Sequence, residues 1–367
     1  MRVLLPAWRL LSPRGGVGKN LWHLLREYAE LAPDDEFVVL HDGPRADLPE
    51  APNLTAVQLR APLVENNLTW NEFALPAALR HWRPDLVHNI SYTLPVAVRG
   101  PSVVTVHDIS YARHPEWFAA KAGAYLRWGT AQAARRATLV VTDSEFSASE
   151  IAEVYRVPRE RIAVVPLAAD TIFTPQQDTA DIRRRYALPR RYVLYVGGIH
   201  TRRRVPLLLR ACAGVLAERD AHLVIVGPAS GDGFDARAEA ERAGLGERLT
   251  LLGFVPERDL PGLYAAADAF AWPAVYEGFG LPPLEAMACG TPTVVADAGS
   301  LPEVVGDGAL LAAPESVDSL AQALARLLDD DALRADLAQR GPARAAQFSW
   351  ADTARQMLSI YRRCLPR

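Results

Sequence analysis

The feature that most constrains this chain is one pattern that runs along it twice. In the first half, short apolar runs ("RVLLPA", "EFVVLHD", "LTAVQLR", "DLVHNI", "SVVTVHD", "ATLVVTDS", "RIAVVPL") alternate with stretches of helical periodicity such as "NLWHLLREYAELA" and "SASEIAEVYR". Alternation of this kind predicts a parallel sheet covered by helices. Residues 168–190, "AADTIFTPQQDTADIRRRYALPR", lose the apolar period and carry two prolines, so they read as a linker. Beyond it the alternation restarts with "RYVLYVGGI", "AHLVIVGPAS", "RLTLLGFV", "AAADAFAWPA", "PTVVADAG" and "GALLAAP". The expected fold is therefore α/β, with two doubly wound sheets whose strand ends surround one cleft, where such sheets bind ligands. The boundaries follow as 1–170, 171–346 and a last helical segment, 347–367, that can pack on either domain.

Composition removes several classes. A chain of 367 residues can bury two ordinary cores, and half of its residues are hydrophobic. The net charge of −3 carries no footprint for nucleic acid. Cys212, Cys289 and Cys364 are too far apart for a disulfide framework or a metal site, which suits a reducing, cytoplasmic setting. The first apolar run is broken by Pro6 and Trp8, unlike a signal peptide, and nothing approaches the ~18 apolar residues of a spanning helix.

"SPRGGVGKN" looks at first like a phosphate-wrapping P-loop. That loop needs a hydroxyl after its Gly-Lys to hold Mg²⁺, and here Asn20 stands there, with Pro13 where the first glycine belongs. No strand ends in an unambiguous partner aspartate either. What remains is a glycine turn between a first strand and a first helix.

The densest chemistry lies in "YEGFGLPPLEAMACGTPTVV". A strand ends before it, Gly278 and Gly280 turn the chain, and prolines open a helix that Gly290 closes. The positive end of such a helix suits phosphate, and the glycines leave room against bare backbone. Glu277 precedes the turn and Glu285 lies about one helical turn inside. Both carboxylates can face a bound sugar, or equally can be a turn residue and a dipole-favoured surface residue.

This stretch resembles the signature of retaining glycosyltransferases of the GT-B fold, family 4, with its Glu-x7-Glu pair. "GGVGKNLWHLL", "TVHDISYARHPEWF", "VTDSEFSASEI", "YVGGIHTRRRVPLLLRA", "LTLLGFVPERDLPGLYAAADAF" and "FSWADTARQMLSIYRR" resemble further segments of that family, in order and over nearly the whole chain. The resemblance implies two Rossmann-like domains facing one cleft, with a terminal helix crossing back to the first. It also implies transfer of a hexose from a nucleotide-diphosphate sugar to a glycan, lipid-linked or small-molecule acceptor, without metal or other cofactor. Glu285 would hold the ribose hydroxyls, and Glu277 would contact the hexose. The amides of Gly278, Phe279, Gly280 and Leu281 would surround sugar and phosphate, and Phe254 and Val255 would border the base. Gly15 and Gly16 would approach the phosphates from the first domain, and Gly198 with Arg202 and Arg203 from the second. The family carries a lysine where this chain has Arg203, and often a serine where it has Ala274. A guanidinium still neutralises a diphosphate, and does so bidentately. His107 would donate a hydrogen bond to an outer hydroxyl of the sugar, whereas Asp108 is expected to be structural. His88, His114 and His200 receive no role.

The variant "GGIH" followed by arginines is similar to mannosyltransferases, so GDP-mannose is the expected donor and a UDP-sugar the second. A pyridoxal-dependent phosphorylase of the same architecture needs a lysine, and none follows Lys121. A sugar-nucleotide epimerase would lack the paired glutamates, and a non-catalytic binding subunit of a polysaccharide assembly is the alternative outside enzymes. Residues 113–136 mix aromatics with Lys121, Arg127, Arg135 and Arg136, which admits either a peripheral membrane contact or a solvated amphipathic helix.

Overall fold

The computed structural model describes residues 1–8, 16–42, 48–59, 74–229 and 233–366. The chain forms two compact units, one built from Met1–Leu167 together with Ser349–Arg367, the other from Ala168–Phe348. In the first unit β1 (Arg2–Pro6), β2 (Glu36–His41), β3 (Leu54–Gln58), β4 (Leu86–Asn89), β5 (Ser102–Thr105), β6 (Leu139–Thr142) and β7 (Ile162–Val164) form one parallel sheet, in the order 3-2-1-4-5-6-7. In the second, β8 (Tyr192–Val196), β9 (His222–Val226), β10 (Leu249–Gly253), β11 (Ala269–Trp272), β12 (Thr293–Ala296) and β13 (Leu310–Ala312) are also parallel, in the order 10-9-8-11-12-13. Both are doubly wound: the chain starts in the middle, builds one half, then returns to build the other.

The apolar runs are continuous because both faces of each central strand are covered. Val3 and Leu5 of β1 enter one core together with Phe37, Val39 and Val103. Leu4, between them, enters the opposite core with Val38, Val87 and Val104. The helix Gly16–Leu31 fills the first face through Leu21, Leu24, Leu25 and Tyr28. On the same face lies the terminal helix Trp350–Cys364, started by Ser349, whose Oγ accepts from the Asp352 amide at 3.1 Å. Its buried stripe of Ala354, Met357, Leu358 and Tyr361 has helical spacing, and each large apolar side chain so buried contributes about 1.5–3 kcal/mol.

Local structure departs from the simple sequence pattern in two places. The segment read as a linker contains a helix, Thr179–Arg185, because Asp178 caps it: its Oδ1 accepts from the amides of Ala180 and Asp181 at 3.1 and 3.2 Å. Ile182 seats it against Gly262, where an added Cβ would lie 2.4 Å from Ile182 Cγ1. Arg185 and the Tyr186 hydroxyl then donate to Asp259 at 2.8 and 2.7 Å. The helix Asp331–Ala345 runs on past Gly341, since Pro342 holds a helical φ and Arg344 bonds the carbonyls of Val304 and Glu303. In the basic helix Ala120–Arg136, the exposed Arg136 donates to the carbonyls of Leu94, Pro95, Val96 and Val98, and Trp128 is exposed as well. Among the described residues, no helix is long and apolar enough to cross a membrane.

Candidate functional site

In the second unit β8 and β11 pair at the middle of the sheet, and the loops that leave their carboxyl ends turn to opposite sides. The loop after β8 carries Gly197, Gly198, His200, Arg202 and Arg203; the loop after β11 carries Tyr276 and Glu277. These loops meet through a stack of side chains. Tyr195 lies on Trp272, with ring centroids 5.1 Å apart and planes 15° from parallel. The Arg203 guanidinium lies over the same indole, 5.1 Å from its centroid. Arg203 Nε then reaches Glu277 Oε1 at 3.8 Å. The stack exists because position 197 has no side chain: a Cβ there would meet Arg203 Nη1 at 2.7 Å and Trp272 at 2.8 Å. The Tyr195 hydroxyl donates to the Gly198 carbonyl at 3.0 Å, and burial raises its pKa, so it stays a donor.

Arg202, Arg203 and Arg204 part company. Arg204 takes a left-handed φ of 58° and bonds Glu315 at 2.6 Å, which directs it away from Glu277. Arg203 forms an ion pair with Glu277, and Arg204 forms one with Glu315.

The turn 277–280 is clamped from the side by Ser300. Its fully buried Oγ lies 2.8 Å from the Glu277 carbonyl and 3.0 Å from that of Phe279. Gly280 takes φ +105° and is the N-cap of the helix Leu281–Ala288, whose start has no side-chain cap. Pro282 and Pro283 have no amide hydrogen, so little donor capacity is wasted in that first turn. Inside the helix Glu285 is buried, and its Oε2 accepts from the Tyr264 hydroxyl at 2.9 Å. Burial, reinforced by the Glu285 charge, pushes the Tyr264 pKa far up, so that hydroxyl remains protonated. The Thr291 hydroxyl fixes the Tyr264 carbonyl at 2.8 Å. Ser300 and Tyr264 were both missed by sequence reading. The pair "GFV" divides: Phe254 is 82% exposed at the end of β10, whereas the Val255 side chain is buried and leaves only backbone to offer. Ala274 is buried.

In the first unit, Gly15 lies outside the described residues, and Gly16 is the first residue of its helix, with open space where a Cβ would be. His107 follows β5 and Asp143 follows the adjacent β6. His107 Nδ1 and Asp143 Oδ2 are 2.7 Å apart, while the buried Nε2 makes no well-formed hydrogen bond among the described residues and has the Ile90 backbone as neighbour. Burial alone would lower the His107 pKa, but Asp143, and then Asp108, outweigh it and hold it above the usual value. Tyr92, at φ 61°, sets its ring edge-on to His107 at 5.8 Å. His88 is structural. Its Nδ1 meets the Tyr361 hydroxyl at 2.6 Å and its Nε2 the Thr105 hydroxyl at 2.8 Å, and Tyr361 in turn meets Tyr28 at 3.0 Å. His114 stacks on Trp117 with centroids 3.9 Å apart.

Two doubly wound sheets in one chain, the second with an arginine and a carboxylate gathered at its switch point, define the architecture of a GT-B glycosyltransferase. Comparison with known proteins agrees. The family model described as Glycosyltransferase Family 4 matches residues 14–173, and that described as Glycosyl transferases group 1 matches residues 178–344. An O-antigen chain mannosyltransferase B of Escherichia coli is 32% identical over 99% of this chain and 100% of its own length. An MMP alpha-(1->4)-mannosyltransferase of Mycolicibacterium hassiacum is 33% identical over 100% and 99%. Among solved structures, a sucrose-phosphate synthase from Thermosynechococcus elongatus superposes with TM-score 0.80 at 23% identity, covering 99% of this chain and 98% of that one. Anabaena HepE, in complex with UDP and glucose, gives 0.79 at 22%, covering 98% and 99%. At those identities the structures speak for the fold alone, while the two mannosyltransferases match end to end. The chain belongs to the family-4 glycosyltransferases, and mannosyltransferases are among its full-length relatives.

Proposed function

We propose that this glycosyltransferase moves a hexose, with retention of configuration, from a nucleotide-diphosphate sugar to a hydroxyl of a glycan, lipid-linked or small-molecule acceptor. The donor is GDP-mannose, with a UDP-sugar as the second candidate. The observation that carries the reading is the Arg203–Glu277 pair beside the uncapped helix Leu281–Ala288. Breaking the bond between the anomeric carbon and the phosphate oxygen leaves negative charge on the diphosphate. A guanidinium and a helix N-terminus are the groups that stabilise such charge. Bonding of the acceptor oxygen to the same face of that carbon, with the acceptor proton passing to a donor phosphate oxygen, balances the step without a protein nucleophile.

The remaining roles follow from chemistry. Glu277 accepts from hexose hydroxyls, and the amides of Gly278 through Leu281 border sugar and phosphate. Glu285, held by the Tyr264 hydroxyl, accepts from the ribose hydroxyls. Phe254 offers an exposed ring on which a base can stack, and the Val255 backbone borders it. Gly198 and Arg202 lie on the same loop as Arg203, and His107 takes a substrate hydroxyl. Charge on the leaving group is met by Arg203 in place of a metal. The reading of the donor is supported by the full-length mannosyltransferase relatives. A thermal-shift panel of nucleotide sugars tests it, since a specific donor at ~100 times its Kd stabilises by ~2.7 kcal/mol. GDP-mannose should give the largest shift, undiminished by EDTA. A larger shift with a UDP-sugar replaces the donor, and no shift with any of them removes the reading.

A further inference from the structure

Outside the arginine–glutamate site, the group whose chemistry is least used is the His107–Asp143 dyad. We propose that Asp143 is a positioning residue: it holds His107 with Nδ1–H donated to its carboxylate, so that Nε2 presents a lone pair to a substrate hydroxyl. This rests on the glycosyl-transfer reading above and adds to it. Two adjacent strand ends make the dyad, β5 supplying His107 and β6 supplying Asp143, at 2.7 Å. Burial raises the Asp143 pKa and His107 opposes that rise; with Asp143 ionised, the shared hydrogen belongs to Nδ1 and the neutral ring has none on Nε2. That nitrogen is buried and makes no well-formed hydrogen bond among the described residues, with the Ile90 backbone as the neighbour that favours the charged ring. Leaving such an atom unsatisfied costs free energy that a bound hydroxyl would relieve.

The surroundings fix the ring further. Ser147 donates its hydroxyl to the His107 carbonyl at 3.1 Å, which secures the backbone. Tyr92 keeps a left-handed φ of 61°, a strained conformation for a bulky residue. Its ring stands edge-on to His107 at 5.8 Å and to Tyr111 at 5.7 Å. The charged and titratable groups facing the imidazole are Asp143, Asp108, His88 and Tyr92. The expectation from sequence was a hydrogen bond donated by His107. Held this way, the neutral ring accepts one, and only the imidazolium donates. Acidification therefore reverses the direction of the contact.

The test uses the full-length protein labelled with ¹⁵N-histidine. Long-range ¹H–¹⁵N correlation at about pH 8 should show His107 protonated on Nδ1 alone. In Asp143→Asn the amide can donate to Nδ1, so the proton should move to Nε2. The titration midpoint should fall by about one pH unit, a tenfold loss of proton affinity. With whichever donor of the panel turns over, Asp143→Asn should lower kcat/KM about tenfold or more and displace the acid limb of its pH profile. Asp143→Glu should restore part of the loss. A wild-type spectrum with the proton on Nε2 overturns the proposal without any variant, as does an unchanged tautomer in a folded Asp143→Asn. Failure of every donor would count against the transfer reading and leave the spectroscopic result standing.

Discussion

Replacing glycine by alanine should have opposite signs at two positions of the second unit. Gly280 holds φ +105°, and its added Cβ would lie 2.7 Å from Cδ2 of Leu301, a side chain with no exposure to yield into. The left-handed conformation costs an L-residue about 1–2 kcal/mol, and forcing a methyl into a packed site about 1–3 more. Gly214 lies on the exposed side of the helix Val205–Leu216, with nothing within 4 Å of its added Cβ. There alanine should stabilise by about 0.5–1 kcal/mol, because it restricts the unfolded chain and favours the helix. For a unit of this size 1 kcal/mol is about 2–4 °C. Calorimetry should therefore show the second unit's transition lowered by about 4–20 °C in Gly280→Ala and raised by about 1–4 °C in Gly214→Ala. An unchanged transition in Gly280→Ala would refute the claim that the turn before the helix is built around a missing side chain. A lowered one in Gly214→Ala would refute the helix-interior argument.

Other outcomes follow from the same geometry. Tyr361→Phe removes the hydroxyl between Tyr28 and His88 and strands both buried partners, which should cost the first unit about 1–3 kcal/mol in urea unfolding. Burial, and then the charge of His107, push the His88 pKa down to about 3, so below pH 6.5 the unfolded chain takes up a proton that the folded one refuses. Stability should fall by about 1.4 kcal/mol per pH unit from pH 6.5 towards 3 on this account, and His88→Gln should flatten that limb. Glu277→Ala should lower kcat by about 10²-fold, and Arg203→Ala should raise the donor Kd about 10- to 150-fold; full activity in both would remove them from the site.

How much of this was legible depended on whether the signal was local. The strands announce themselves because each is an uninterrupted apolar run, and the turn at Glu277–Leu281 because glycines and prolines mark it within a few residues. The partners that hold the site are remote in sequence. Ser300 reaches back 23 residues to Glu277, and Tyr264 reaches forward 21 to Glu285. No periodicity links such pairs, since their contact is made by helices and strands packing, not by spacing. Asp143 could have been found: "VVTVHD" and "LVVTDS" are successive strands of a doubly wound sheet, whose ends lie side by side. The helix Thr179–Arg185 was overlooked because prolines and lost apolar period dominated the segment, while its start depended on one aspartate cap.

The central claim is best tested by following the reaction by NMR. The enzyme would be supplied with GDP-mannose and a panel of mannosyl acceptors, while released nucleotide diphosphate and the one-bond carbon–proton coupling at the new anomeric centre are recorded. We expect stoichiometric GDP and a product that keeps the donor's anomeric configuration, both formed about 10²-fold more slowly by Glu277→Ala. An inverted product, or undiminished transfer by Glu277→Ala, would contradict it.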